Sequence, residues 1–278
     1  MSAISFTKMH GLGNDFVIID ARHTPVTVSA QAARAICDRH TGVGCDQLIV
    51  IEKARANGAA GFMHIRNSDG SSSAACGNAT RCVAALFMAE SGRDEAAIET
   101  AAGLLRAERR GDLVSTDLGA ARTDWRDIPL RQDTDTLHLP IASGPLTDGA
   151  ACSVGNPHAT FFVDDARAID LSQHGPVLEH DDLFPERANI GVVQVLAPDR
   201  IRIRVWERGA GITSACGTGA SAAVVSGHRR GVCGRTVTAE LDGGELEIIW
   251  RESDGHVLMT GPVATSFTGV FDAKDLAP

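Results

Sequence analysis

The sequence contains no tyrosine and only three lysines, Lys8, Lys53 and Lys274, among 278 residues. None of the lysines lies in a Schiff-base setting or in the repeated core described below, which argues against a pyridoxal-phosphate enzyme. No two of the seven cysteines (37, 45, 76, 82, 152, 216 and 233) have C-x-x-C spacing, so no structural zinc site and no other metal site is expected. Their odd number, in a chain this long, favours reduced thiols over a disulfide framework. Basic patches are also missing. The net charge is −9, and the one tight basic cluster, Arg106–Arg110, is broken by Ala107 and Glu108 and reads as a solvated face. Nucleic acid and anionic membranes are therefore excluded as partners. The opening MSAISFTKMHGLGNDF lacks a basic region followed by an apolar run, so a cytoplasmic protein is expected. The charge-free stretch between Arg208 and Arg229 is interrupted by Gly, Ser and Thr; it fits a loop and a buried helix better than a membrane span.

What is present is a repeat. Hydrophobic content of 44% and charged content of 22% suit a soluble chain with room for two domains. At an offset of 140, SAACGNATRCVAAL (73–86) falls on TSACGTGASAAVVS (213–226), and HIRNSDG (64–70) on RVWERGA (204–210). Asn67 then lies opposite Glu207 and Cys76 opposite Cys216. At an offset of 142, GNDFVIID (13–20) resembles GNPHATFFVDD (155–165), and DQLIVIE (46–52) resembles ANIGVVQV (188–195). Four collinear blocks indicate two copies of one domain. Each copy reads as a Gly-Asn turn, strands rich in Val, Ile and Phe, a Cys-Gly turn, a helix of small residues, and further strands. In the second copy, Asp242-Gly243-Gly244 is a hairpin turn. The expected fold is α+β: two pseudo-symmetric domains, each a curved, mostly antiparallel sheet rolled around a central helix, with the active site in the cleft between them. Residues 1–120 form the first half and 121–264 the second, with a strand over 265–278 returning to the first.

Cys76 and Cys216 each stand at the entrance of a helix, where unpaired amides and the helix dipole favour a thiolate. The Gly after each allows close approach of backbone to an anionic ligand. If the halves face each other, one thiol sits on each side of a small molecule. One can then remove a proton from a carbon while the other delivers one to the opposite face. That chemistry explains why the turn occurs twice. Cys37, Cys82, Cys152 and Cys233 read as small buried hydrophobes.

Six motifs resemble the diaminopimelate epimerase family: KMHGLGNDF (8–16), GVGCDQL (42–48), RNSDGSSSAACGNATRC (66–82), GNPHATFFVDD (155–165), ERANIG (186–191) and WERGAGITSACGTGASA (206–222). They run in order along almost the whole chain. The resemblance implies interconversion of LL- and meso-2,6-diaminopimelate without any cofactor, in lysine and cell-wall precursor synthesis. It implies Cys76 and Cys216 as the acid/base pair. Gly77, Asn78, Gly217 and Thr218 would bind the carboxylate at the reacting carbon. Asn14, Gln47, Asn67, Asn156, Asn189, Glu207 and Arg208 would bind substrate, with Arg208 gripping the distal carboxylate through its planar fork. His158 and Glu207 would tune the thiols or hold the reacting ammonium group.

The sequence departs from the family pattern in two places. Ala79 stands where the commoner form CGNGARC has Gly. The missing Tyr removes an aromatic that some relatives carry at a dimer contact; Phe267 replaces its packing but not its hydrogen bond, so a homodimer is an open expectation. Two rival readings fit the residues less well. A sister racemase acting on proline or hydroxyproline has no use for the distal set Asn67, Asn189 and Arg208. A cysteine hydrolase built on His158 leaves one Cys-Gly turn without a purpose.

Overall fold

The computed structural model describes residues 3–272. They fall into two compact units, one running to Thr116 and resuming at Gly261, the other spanning Asp117–Thr260. In the first unit the order is β1 (Ala3–Gly11), β2 (Asn14–Asp20), α1 (Ala30–Cys37), β3 (Gln47–Glu52), β4 (Gly61–Asn67), β5 (Ser72–Ser73), α2 (Gly77–Ser91), β6 (Glu95–Thr100), β7 (Gly103–Arg110) and β8 (Leu113–Ala120), the last running past Thr116. In the second it is β9 (Ala150–Ser153), β10 (Pro157–Phe162), α3 (Leu171–Glu179), β11 (Asn189–Ala197), β12 (Arg200–Glu207), β13 (Gly211–Thr213), α4 (Gly217–Arg229), β14 (Thr236–Leu241), β15 (Gly244–Trp250) and β16 (His256–Gly261). A final strand, β17 (Ala264–Asp272), pairs antiparallel with β1 in the first unit. Residues 273–278 of the expected returning strand lie outside the described residues.

The two units share one pairing scheme. β1/β2, β3/β4 and β6/β7 are antiparallel, whereas β2/β3 and β4/β6 are parallel. In the second unit β9/β10, β11/β12 and β14/β15 are antiparallel, and β10/β11 and β12/β14 are parallel. A parallel pair cannot be closed by a hairpin and needs a crossover. The four helices among the described residues are those crossovers. This accounts for α1 and α3, which add a second helix to each unit beyond the one central helix expected and which each open on an ordinary cap. Ser29 accepts from the Ala32 amide, and Asp170 accepts from the amides of Ser172 and Gln173.

The apolar runs FVIID and LIVIE are buried on both faces, as parallel strands between two helices must be. Phe16, Ile18, Ile49 and Ile51 pack with Val83, Phe87 and Met88 of α2. The alternate residues Val17, Ile19, Leu48 and Val50 pack with Ala32, Ala33 and Ile36 of α1. Each such side chain contributes roughly 1.5–3 kcal/mol on burial. The second unit repeats this on α3, where Leu171 and Leu178 meet Phe161, Ile190 and Val192. Its other helix, α4, touches β9, β10, β11, β12, β14 and β15. Only small side chains let strands close so tightly. A Cβ at Gly219 would come 2.8 Å from Val205 and one at Gly227 2.7 Å from the Cys233 sulfur. The hairpin turn holds, with Leu241 paired to Gly244. None of the described helices is long and apolar enough to cross a membrane.

A partly buried ion cluster fastens β1 to the loop before β3. Lys8, 7% exposed, donates to Asp15 and to the Gly44 carbonyl, while Arg39 spans Asp15 and Asp46. Burial pushes the Asp15 carboxyl up, but the hydrogen bonds from Arg39 and Lys8 outweigh it and hold its pKa at about 2 instead of 3.8. A carboxyl depressed on folding stabilises above its unfolded value, and that stability is lost as pH falls through the folded value. The cluster therefore contributes roughly 2 kcal/mol that disappears between about pH 4 and pH 2. Asp15→Asn is expected to lower stability at pH 7 by about that amount and to flatten the acid limb of urea unfolding midpoints in this window. An equally steep acid limb in the variant would locate the acid sensitivity elsewhere.

Candidate active site

In the first unit the candidate side chains come from the ends of adjacent strands and from the start of α2. Cys76 is the residue immediately before α2, in extended conformation (φ −148°, ψ 113°), and Gly77 is the first helical residue. Asn14 opens β2. Its Oδ1 accepts from Asn78 Nδ2 at 3.0 Å and lies 3.9 Å from Cys76 Sγ, and its Nδ2 donates to Asp46 Oδ2 at 2.9 Å. Asp46 accepts only, so it fixes which end of the amide faces the thiol. Gln47 and Asn67 are cross-strand partners on β3 and β4, joined by a 2.9 Å hydrogen bond from Gln47 Nε2 to Asn67 Oδ1. Among the described residues the buried Gln47 Oε1 has no partner, an acceptor available to a ligand.

The second unit builds the same constellation with different chemistry. Cys216 (φ −107°, ψ 102°) precedes α4, and its Sγ accepts from the Gly219 amide at 3.4 Å. Thr218 Oγ1 lies 3.6 Å from that sulfur and receives Asn156 Nδ2 at 3.5 Å. His158 Nε2 meets Asn156 Oδ1 at 2.9 Å, which turns this amide with its Nδ2 toward Thr218. Asn189, opposite His158 in the parallel β10/β11 register, donates to the Pro157 carbonyl at 3.0 Å and accepts the Arg208 amide at 3.0 Å. The exposed Arg208 guanidinium donates to the Glu186 carbonyl at 2.8 Å. Glu207, at the end of β12, accepts from the Thr213 hydroxyl. Asn14, Gln47, Asn67, Cys76 and Asn78 thus hold the same places in the first unit as Asn156, Asn189, Glu207, Cys216 and Thr218 in the second.

Electrostatics corrects one expectation. The dipole of α4 does not leave Cys216 with a depressed pKa. Burial pushes the thiol well above its usual value, the Glu207 charge adds to the rise, and Thr218 and the Gly219 amide only partly oppose it. At 4% exposure, desolvation of a thiolate outweighs one amide donor. His158, 1% exposed, is driven down to about 3 by burial and then by Arg208. It is neutral across the physiological range and serves Asn156 as a hydrogen-bond partner.

The remaining cysteines are buried free thiols. Burial pushes Cys82 up to about 12 and Cys152 and Cys233 up to about 11, as inert core residues. Ala79 is fully buried in the core against α2's own neighbours, while its counterpart Gly219 has no room for a methyl. Among the described residues no group of three or more His, Cys, Asp or Glu is arranged to hold a metal ion. Sequence reasoning missed Asp46 and Thr213. Asp46 sits inside a quoted motif, and only the fold shows what its carboxylate touches.

The fold matches several solved structures. A probable proline racemase from Agrobacterium radiobacter K84 superposes with a TM-score of 0.66 at 18% identity, over 97% of this chain and 93% of that one. A PhzF-family phenazine biosynthesis protein from Enterococcus faecalis gives 0.70 at 13% identity, over 98% and 100%. These likenesses define the class by architecture: a duplicated, two-domain α+β fold. The diaminopimelate epimerase family model matches residues 6–123 and 150–266. The chain is 61% identical to diaminopimelate epimerase of Rhodospirillum centenum, over 95% of this chain and 91% of that protein, and 59% identical to that of Acidiphilium cryptum, over 100% and 99%. It belongs to the diaminopimelate epimerase family and is an isomerase. The segment between the two matched ranges is not idle. Its Ile128, Leu130, Leu139, Ile141 and Leu146 join the core of the second unit.

Proposed function

We propose that the protein interconverts LL- and meso-2,6-diaminopimelate by a two-base proton transfer between Cys76 and Cys216. The observation that carries this reading is the duplication of one constellation, a cysteine before a buried helix with an amide or hydroxyl two residues on and an Asn from the neighbouring strand. In one direction the thiolate of one cysteine takes the α-proton, and the S–H of the other delivers a proton to the opposite face. In the reverse direction their roles exchange. Burial and Glu207 favour the S–H form of Cys216, which is the form that delivers. A substrate ammonium seated on Glu207 cancels the charge that raises this thiol, and so eases its turn as base.

The amides at the starts of α2 and α4, with Asn78 and Thr218, would take the carboxylate at the reacting carbon. Arg208 would take the distal carboxylate, and Asn67 and Asn189 are further substrate-binding residues. Gln47 Oε1 would accept from a substrate N–H. His158 donates its Nε2–H to Asn156 Oδ1 and shuttles no proton in the reaction. Its Nε2 is engaged and its pKa is about 3, which disfavours a Cys-His hydrolase. The same reading makes this a cytoplasmic enzyme of lysine and peptidoglycan precursor synthesis that needs no cofactor; sedimentation decides whether it is a homodimer.

The test is product analysis by chiral chromatography after incubation with LL-diaminopimelate, proline, trans-4-hydroxyproline and glutamate in parallel. Conversion of LL- to meso-diaminopimelate alone is expected. Turnover of a proline with none of diaminopimelate would replace this reading by the sister racemase.

A further inference from the structure

Glu179 is the last residue of α3, and its side chain is 4% exposed. A carboxylate so placed is costly unless its oxygens are bonded. Here both oxygens accept. Oε2 receives Trp206 Nε1 at 2.7 Å, and Oε1 receives the Gly209 amide at 3.0 Å. Those donors bracket Glu207 and Arg208. The Arg187 guanidinium stands 3.7 Å from Oε1, and the Arg187 backbone is left-handed (φ 62°), a strained state for a residue with a side chain. That strained residue directly follows Glu186, whose carbonyl holds the Arg208 side chain. The Glu179 carbonyl also receives the Ala188 amide at 3.4 Å, next to Asn189. One residue therefore fastens the 206–209 turn and touches the 186–189 segment on which Arg208 and Asn189 depend. Gly175, one turn earlier in α3, lets the helix lie against the Trp206 ring, since a Cβ there would come 2.5 Å from it.

The first unit offers an internal control. The place of Glu179 is taken there by Cys37, the last residue of α1, and the place of Arg208 by Ser68. A thiol cannot accept two N–H bonds as a carboxylate does. That unit fixes its turn from the helix by other means, with Arg34 donating to the Asp69 carbonyl at 3.2 Å and Gly70 lying against Ala30. The buried carboxylate occurs in the half that carries the arginine.

We propose that Glu179 is a positioning residue that sets the Arg208 clamp for the substrate's distal carboxylate, an inference that rests on the function proposed above. Glu179→Gln keeps the shape but replaces one acceptor by an NH2 group, so either Trp206 or Gly209 loses its partner. With diaminopimelate as substrate, KM is expected to rise about tenfold while kcat stays within about twofold. In an Arg208→Ala background the same change should add less than about twofold, because the two residues act through one contact. Deuterium exchange of the 206–210 amides should quicken in Glu179→Gln at unchanged global stability, and this readout needs no substrate. Trp206→Phe, which keeps the packing and removes one donor, should shift KM in the same direction by less. It also stands in if Glu179→Gln does not fold. Unchanged KM, equal factors in both Arg208 backgrounds, or unchanged local exchange each overturns the inference. If the wild type leaves diaminopimelate untouched while the exchange result holds, the substrate assignment fails and the positioning role of Glu179 on the turn survives.

Discussion

Alanine at either Cys76 or Cys216 is expected to reduce epimerisation in both directions by at least about a thousandfold. Each direction needs one thiolate and one thiol, so neither cysteine is dispensable for either direction. A hydrolase-like mechanism with one nucleophile predicts a single sensitive cysteine. The companion measurement is isotopic. In deuterated water, stopped early from the LL epimer, the meso product should carry deuterium at the inverted carbon while recovered LL substrate stays protiated. The delivering S–H has exchanged with solvent before it acts, whereas the abstracting group returns only the proton it has just taken. The same asymmetry should appear from the meso side. Equal early label in both pools would show that one group serves both faces. Folding is checked separately, because Cys216 is buried and its sulfur accepts the Gly219 amide at the start of α4. Serine in its place keeps an acceptor there and should fold normally while losing activity.

Arg208→Lys is expected to lower kcat/KM for diaminopimelate by about a hundredfold, far more than a charge-conserving exchange on an exposed residue normally does. Lysine keeps the charge and loses the planar fork that fits a carboxylate, and it also loses the fixed donation to the Glu186 carbonyl. Most of the loss should appear in KM. Binding energy from the distal end would then be shown to hold the substrate more than to drive the proton transfer. A second consequence follows from the charge at this position. Arg208 contributes to the low pKa of His158 and lysine retains that charge, so the imidazole should stay neutral in the variant. Nitrogen chemical shifts of His158 recorded from pH 5 to pH 8 check this. Normal turnover by Arg208→Lys would remove the clamp assignment and weaken the argument against a proline-type substrate that rests on it.

The repeat was legible because it is written in sequence at fixed offsets. Cys76 and Cys216, Asn67 and Glu207, and the Val/Ile-rich strands could be aligned without any structure. Strands such as QLIVIE and IRIRVWE show themselves through apolar runs and period-2 alternation, which local chemistry dictates. The short helices α1 and α3 were missed for a physical reason. Each spans little more than two turns, eight and nine residues, and they exist because two strands pair in parallel, a long-range fact that no local pattern announces. By itself the sequence determined the duplicated α+β fold, the two cysteine turns and the family. Only the tertiary structure decided the electrostatics. Which way an Asn amide faces is set by Asp46 in one unit and by His158 in the other. Whether a cysteine before a helix has a raised or lowered pKa depends on how deeply it is buried and on the charge beside it, and for Cys216 burial and Glu207 outweigh the helix. These are sums over neighbours brought from distant parts of the chain, so they come into being only when the chain has folded.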